Sequence, residues 1–172
     1  MQETKIVINR NGHILTFCHK SFDVWLQNSW HIVPFGPKGR RNKLYLSRAV
    51  HTKEKSCSIS IHREVLGLCV GDGKIVDHKN GDGLDNRMSN LRLCTRAQNA
   101  QNSKKKKDTK SIYKGVTYNK RKGIKSPWKV QISSVELDIV IRKDFKTELE
   151  AAVFRDKMAK LLHGEFAILN FP

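Results

Sequence analysis

Four consecutive lysines, Lys104 to Lys107, followed by Lys110, set the organisation of this chain. Like charges this close repel one another, so the run ends whatever helix leads into it and belongs to a solvated linker, not a core. Cutting 172 residues there leaves small modules, each with a modest interior, since 38% of the residues are apolar. Sixteen basic residues stand against eight acidic ones before Lys104, and seventeen against eight from Lys104 onward, so the net charge of +17 is shared between both sides. Such an excess, at a pI near 10.0, is the electrostatic footprint of a polyanion binder.

Before the run, residues 5–17 alternate apolar and polar on both sides of Asn11-Gly12, the sequence of a tight turn between two strands. Residues 18–42 read as a loop region containing Trp25 and Trp30. Residues 43–50 and 57–62 alternate again and predict a second hairpin. The stretch from His62-Arg63 predicts a short helix, Ile75 to His78 a strand, and Asn90 to Thr95 a return strand, after which residues 96–106 have good helix formers and no breaker. Beyond the run, residues 112–118, 128–134 and 137–145 predict three strands. Thr147 with Glu150 three residues on is the signature of a capping box, and Ala151, Phe154, Met158, Leu161 and Leu162 recur at helical spacing up to a stop at Gly164.

No apolar run approaches the roughly 18 to 20 residues of a spanning helix, and the first residues lack the apolar core of a secretion signal, so a cytoplasmic, non-secreted location is expected. Cys18, Cys57, Cys69 and Cys94 show no CxxC pairing and are expected as buried or half-buried thiols; zinc held by Cys57 and His62 is disfavoured.

The chemistry concentrates between residues 76 and 102, VDHKNGDGLDNRMSNLRLCTRAQNAQN. Read as a calcium loop from Asp77, it would put Lys79 at position 3, Asp82 where a glycine belongs, and Met88 where the bidentate Glu belongs. That reading fails. What remains is an Asp-His pair at a strand end, a turn, Asn90 at the start of the return strand, and Asn99 one turn into the following helix. Folded in that order, the four can meet in one small cleft.

The order DH, DGLDN, NLR, CT and QN resembles the HNH nuclease motif, in the phage and intron-encoded homing branch whose last His is replaced by Asn. The resemblance implies a ββα-metal fold that hydrolyses phosphodiesters, with His78 as general base, Asp77 and Asn99 holding one divalent ion, and Asn90 orienting the loop and the His78 ring. Two oxygen ligands suit magnesium, with manganese as a substitute. His62, Asn86, Arg87 and Asn102 fall around this set as second-rank positions: His62 as packing under the site, the others as turn formers or caps with phosphate or metal-shell contact as a second choice.

Downstream, the YKGV start, the Trp128 strand, Phe145 before an EAA helix and the NFP end resemble the plant ethylene-response-factor (Apetala-type) DNA-binding domain. That resemblance implies a three-stranded sheet laid in the major groove of double-stranded DNA. If Val130 and Ile132 face the helix, Lys129, Gln131 and Ser133 face away. Expected DNA contacts are these three with Lys114, Thr117, Asn119 and Arg142, and the linker residues Lys104, Lys105, Lys106 and Lys107 as phosphate contacts. Trp128 is expected in the core.

The expected class is α+β. Residues 1–56, with Trp25, Trp30 and Tyr45, are expected to form an accessory β-rich region that supports the site, with Arg40, Arg41 and Arg48 as a secondary DNA contact; 57–103 form the nuclease core, 104–110 the linker, and 111–172 the DNA-binding domain. A monomer on DNA is expected, or a dimer if both strands are cut together. The competing expectation is a sequence-specific DNA-binding regulator that retains an inactive nuclease fold.

Overall fold

Asn9 opens the first turn by accepting backbone N–H bonds from Asn11 and His13 through its side-chain Oδ1, at 3.0 and 2.9 Å, and Gly12 takes the left-handed conformation (φ 77°) that closes it. This hairpin joins β1 (Thr4–Ile8) to antiparallel β2 (Ile14–Cys18), as its sequence predicts. The computed structural model describes residues 3–35, 43–51, 56–103, 105, 109–121 and 123–172.

Residues 18–42 differ from the expected loop. Helix α1 (His19–Leu26) follows β2 directly, and β3 (His31–Phe35) follows the helix. The start of α1 carries none of the usual capping residues; instead Ser21 Oγ accepts the Cys18 N–H at 3.0 Å, inside the core, which no surface pattern announces. Strand β3 pairs with β4 (Lys43–His51), and β4 with β5 (Ser56–Ser60), giving a three-stranded antiparallel sheet. His62 lies in α2 (Ile61–Val65), not in the strand before it. A two-stranded antiparallel sheet follows, β6 (Ile75–His78) with β7 (Leu91–Cys94), and then α3 (Arg96–Gln101).

The chain divides into two compact units, Met1–Thr95 and Arg96–Pro172. In the first, one core of Leu15, Phe17, Leu46, Ile61, Val65, Leu84 and Leu91 draws on β2, β4, α2, the loop after β6 and β7 together. Residues 1–56 therefore share an interior with the segment that follows them. The division also falls before α3, ahead of the lysine run, so α3 groups with the second unit.

In that unit β8 (Val116–Tyr118), β9 (Trp128–Ser134) and β10 (Ile139–Phe145) form an antiparallel sheet in the order β10-β9-β8, and α4 (Glu148–His163) packs on it. The Thr147 capping box is present: Thr147 Oγ1 accepts the Glu150 N–H, and Glu150 Oε2 accepts the Thr147 N–H, both at 3.2 Å. Gly164 (φ 52°) ends the helix. Residues 112–115 are not strand, and the inward face of the helix is wider than its apolar spacing suggests: Ala151 is in the core with Phe154 packed against it, and polar residues join them. Ala151, Ala152, Arg155, Asp156 and Ala159 are buried while Leu161 is exposed. The cause is polar. Arg155 Nη1 donates to Asp156 Oδ1 at 2.9 Å and to the Ile168 carbonyl, and Asp156 accepts the Asn170 and Phe171 N–H groups. Asn170 in turn bridges both backbone groups of Lys114. Gly115 completes this knot, since a Cβ there would stand 2.9 Å from Arg155 Nε. The YKGV and NFP ends are thus the two halves of one buried fastening.

Candidate functional site

Strand β6 ends in Asp77 and His78, both buried (6% and 4% exposed), which requires that each be paired. Asp77 stands opposite Arg92 in the β6–β7 register, and Arg92 donates to Asp77 Oδ2 through Nε at 3.0 Å and Nη2 at 2.8 Å. His78 Nε2 meets Asn86 Oδ1 at 3.3 Å. Asn86 is fully buried and its Nδ2 donates to the Gly83 carbonyl, which turns Oδ1 toward His78. Facing an acceptor, Nε2 carries the proton, and Nδ1 is the nitrogen with the lone pair. Burial pulls the His78 pKa below the ordinary imidazole value, against the Asn86 hydrogen bond and the charges of Asp77, Asp82 and Asp85, all of which raise it. The ring is accordingly neutral near pH 7, the form able to accept a proton.

The loop between β6 and β7 is held from inside by Asn90. Its Oδ1 accepts the Asn80 N–H at 3.1 Å, and its Nδ2 donates to Asn80 Oδ1 at 3.0 Å and to the Asp85 carbonyl at 2.8 Å. Asn90 thus ties the loop together, while the His78 ring is met by Asn86 and not by Asn90. Arg87 forks onto Asp85, with Nε to Oδ1 at 2.9 Å and Nη2 to Oδ2 at 2.7 Å, and Asn80 adds a third bond. Burial pushes the Asp85 pKa up, but Arg87 and Asn80 together outweigh it and hold the carboxyl below its usual value. From outside, β2 clasps the loop through Thr16, whose N–H donates to the Leu84 carbonyl at 3.0 Å and whose carbonyl accepts the Asn86 N–H at 2.8 Å.

His62 lies against His78, with ring centroids 5.0 Å apart, and Tyr45 touches both rings. Burial, then the His78 and Arg63 charges, pushes His62 down to about 3, and its Nδ1 is buried without a hydrogen-bond partner. Between about pH 6.5 and 3 the unfolded chain takes up a proton that folded His62 refuses, so stability falls as pH falls through that window. Urea unfolding from pH 7 to 4 should show this acid loss in the wild type and a shallower one, by up to one proton, in His62→Phe.

Arg92 is a site residue that sequence reading missed, and Tyr45 is one it placed only in a supporting sheet. Arg92 was recoverable, because pairing IVDH with LRLC in antiparallel register sets it opposite Asp77. The contact of Tyr45 with the His78 ring was not, because its strand, ending at His51, is distant in sequence from the motif.

Asn99 is an exposed residue of α3, and Asn102, just beyond that helix, is buried. Gln131 and Ser133 are exposed on β9, Lys129 is half-buried beside them, and Thr117 and Arg142 pair across to Lys129 and Gln131. Val130, Ile132 and Ser134 point to the helix side. Asn119 is exposed and its Oδ1 accepts the Arg121 N–H. Lys114 departs from the expected outer face: its Nζ donates to the Gln101 carbonyl, and burial, then the Arg155 charge, lowers it to about 8 against the pull of Asp156. Trp128 is half-buried at the edge of the core, with Tyr118 packed on it at 4.8 Å. Lys104, Lys106 and Lys107, like Arg40 and Arg41, lie outside the described residues; Lys105 is half-buried, and Lys110 sits 3.4 Å over the Tyr118 ring. Arg48 is bound to Glu64 at 2.9 and 3.0 Å, a structural ion pair.

Among the described residues no cluster of three or more His, Cys, Asp or Glu could hold a metal, and no helix is long and apolar enough to cross a membrane. The four cysteines are free thiols, with Cys18 buried, Cys57 and Cys94 half-buried, and Cys69 exposed.

A buried, neutral imidazole beside an ion-paired carboxylate is a group able to accept a proton. A family model described as HNH endonuclease matches residues 61–101, from α2 through α3. An uncharacterized HNH endonuclease of Acanthamoeba polyphaga mimivirus is 32% identical over 161 residues, covering 90% of this chain and 75% of the relative. Protein 3.8 of Escherichia phage T7 is 28% identical over 95 residues, 55% of this chain and 74% of that protein. No solved structure matches. The chain belongs to the HNH endonuclease family, and by that membership is a nuclease.

Proposed function

We propose that the chain is a site-specific, divalent-metal-dependent DNA endonuclease of the homing type, with the ββα-metal centre that its motif implies. The observation that carries this reading is the Asn86-anchored ring of His78, buried beside Asp77 at the end of β6. Anchoring Nε2 leaves Nδ1 to take a proton from water. The resulting hydroxide oxygen bonds to phosphorus as the bond from phosphorus to the leaving sugar oxygen breaks. Arg92 fixes the Asp77 carboxylate in one orientation, and the Asn90 and Thr16 bonds hold the loop that carries Asn86, so the base is positioned before substrate arrives.

The motif assigns the ion to Asp77 and Asn99, whose carboxylate and amide oxygens are hard donors that would suit magnesium, or manganese in its place. When bound, such an ion neutralises charge that develops on the phosphoryl oxygens. Zinc is not proposed, since the residues offered are hard oxygen donors.

The second unit acts as an ethylene-response-factor-type DNA-binding module that offers the outer face of its sheet to the major groove. Supporting this are Gln131 and Ser133, exposed on β9, with Lys129 between them and Trp128, and Arg142 bonded to Gln131 from β10. Lys129→Ala with Arg142→Ala should weaken DNA binding and reduce the slope of log affinity on log salt by about 1 for each phosphate contact removed. Gel shifts across a salt series measure it, and an unchanged slope would remove this face from the interface. One site per chain implies a monomer that nicks. Mapping product ends on a genomic DNA library in magnesium, then in manganese, tests the whole reading: ends clustered at one sequence support a homing-type enzyme, and ends scattered without preference refute site choice.

A further inference from the structure

A hydrogen bond at Nε2 fixes one edge of the His78 ring; the plane of the ring is set by what lies against its faces. Tyr45 of β4 lies against it at 5.6 Å and 49°, and His62 of α2 at 5.0 Å and 79°. Tyr45 and His62 also touch each other, at 5.4 Å, so the three rings form a closed triangle with one member from each of three elements. Gly83 shows how tightly Tyr45 is seated. It has no left-handed φ to demand glycine, yet a Cβ there would fall 2.6 Å and 2.7 Å from Tyr45 Cδ1 and Cε1 and 2.3 Å from the Leu44 carbonyl oxygen. The loop that carries Asn86 therefore rests directly on the Tyr45 ring and on its strand. Tyr45 stands sixteen residues before the segment matched to the family, in the region expected only to support the site.

We infer that Tyr45 is a positioning residue for His78: with His62 it fixes the plane in which the imidazole presents Nδ1 to water, which makes the N-terminal sheet part of the reaction centre. This rests on reading His78 as the base. A misplacement of about 1 Å at a reacting group costs on the order of 10²-fold in rate. The loss belongs in kcat, because Tyr45 acts through the base and not through the grip on DNA.

The experiment uses the full chain with magnesium and supercoiled plasmid that carries the cleavage site mapped on the genomic library. Tyr45→Ala and Tyr45→Leu, the second keeping apolar bulk so that folding is preserved, should each lower kcat by roughly 10²-fold at unchanged KM. Tyr45→Phe, which restores the ring, should recover to within about three-fold of the wild type. In a His78→Ala background, Tyr45→Leu should change the residual rate by less than about two-fold, since the residue it positions is gone. Imidazole nitrogen NMR reads the same claim without turnover: His78, assigned by the signal lost in His78→Ala, should be one Nε2–H tautomer in the wild type and Tyr45→Phe, and a mixture in Tyr45→Leu. Wild-type kcat and tautomer in Tyr45→Leu, a change confined to KM, or an equal rate loss in the His78→Ala background would each overturn the inference. If the wild type cuts nothing while the tautomer mixes as expected, the nuclease reading fails and the positioning role stands.

Discussion

His78→Ala should lower the rate of DNA cleavage by roughly 10²- to 10⁴-fold, the range that a positioned general base contributes. DNA affinity should stay near that of the wild type, because the phosphate grip is spread over both units of a chain carrying +17. The loss is chemical: nothing else in the proposed mechanism takes the proton of the attacking water. Asn86→Ala should fall between the two, at about 10- to 100-fold, since it leaves the imidazole in place but frees Nε2 and with it the choice of tautomer. Single-turnover cleavage beside gel shifts separates the effects. A His78→Ala variant that cuts at the wild-type rate would remove His78 from the mechanism.

Asp156→Ala should be the most destabilising single change in the second unit, at about 3–5 kcal/mol, the cost of breaking a buried ion pair from one side. It strands the Arg155 guanidinium, 4% exposed, and strips the Asn170 and Phe171 amides of their acceptor. Because Asn170 also ties down Lys114, both ends of the unit come loose from α4 together. Against the roughly 5–15 kcal/mol that holds an ordinary domain, this leaves the unit partly unfolded. Hydrogen exchange at the α4 and β9 amides measures it, with protection lost in Asp156→Ala and kept in Arg142→Ala, whose side chain is exposed. The β6 and β7 amides report on the first unit and should keep their protection.

Much of this architecture could be read from patterns that act locally. Asn11-Gly12, the Thr147 capping box, the alternation along β9 and the strand at Ile75 to His78 each follow from a few neighbouring residues, and each stands in the structure. What escaped were features decided by distant partners. Helix α1 starts without a usual cap because Ser21 serves the Cys18 N–H inside the core. Helix α4 turns Arg155 and Asp156 inward, against its apolar spacing, because a tail some fourteen residues later supplies their partners. In the candidate site the motif pointed to Asp77, His78, Asn86 and Asn90, but not to how duties divide between the two asparagines. Asn90 meets the loop and Asn86 meets the ring, a matter of which way each amide points once the loop has closed. Tyr45 could be placed in a supporting sheet, but its seat against the His78 ring could not be read locally, since only the packing of β4 under Gly83 brings it there.

The chain is proposed to hydrolyse DNA at a centre dependent on a divalent cation. Purified protein incubated with supercoiled plasmid that carries the cleavage site mapped on the genomic library measures this. The account predicts nicked circles in magnesium, none once a chelator is added, and their return when magnesium is restored in excess. Plasmid that stays supercoiled in both magnesium and manganese, while gel shifts show it bound, would contradict the account and leave a DNA-binding protein on an inactive nuclease fold.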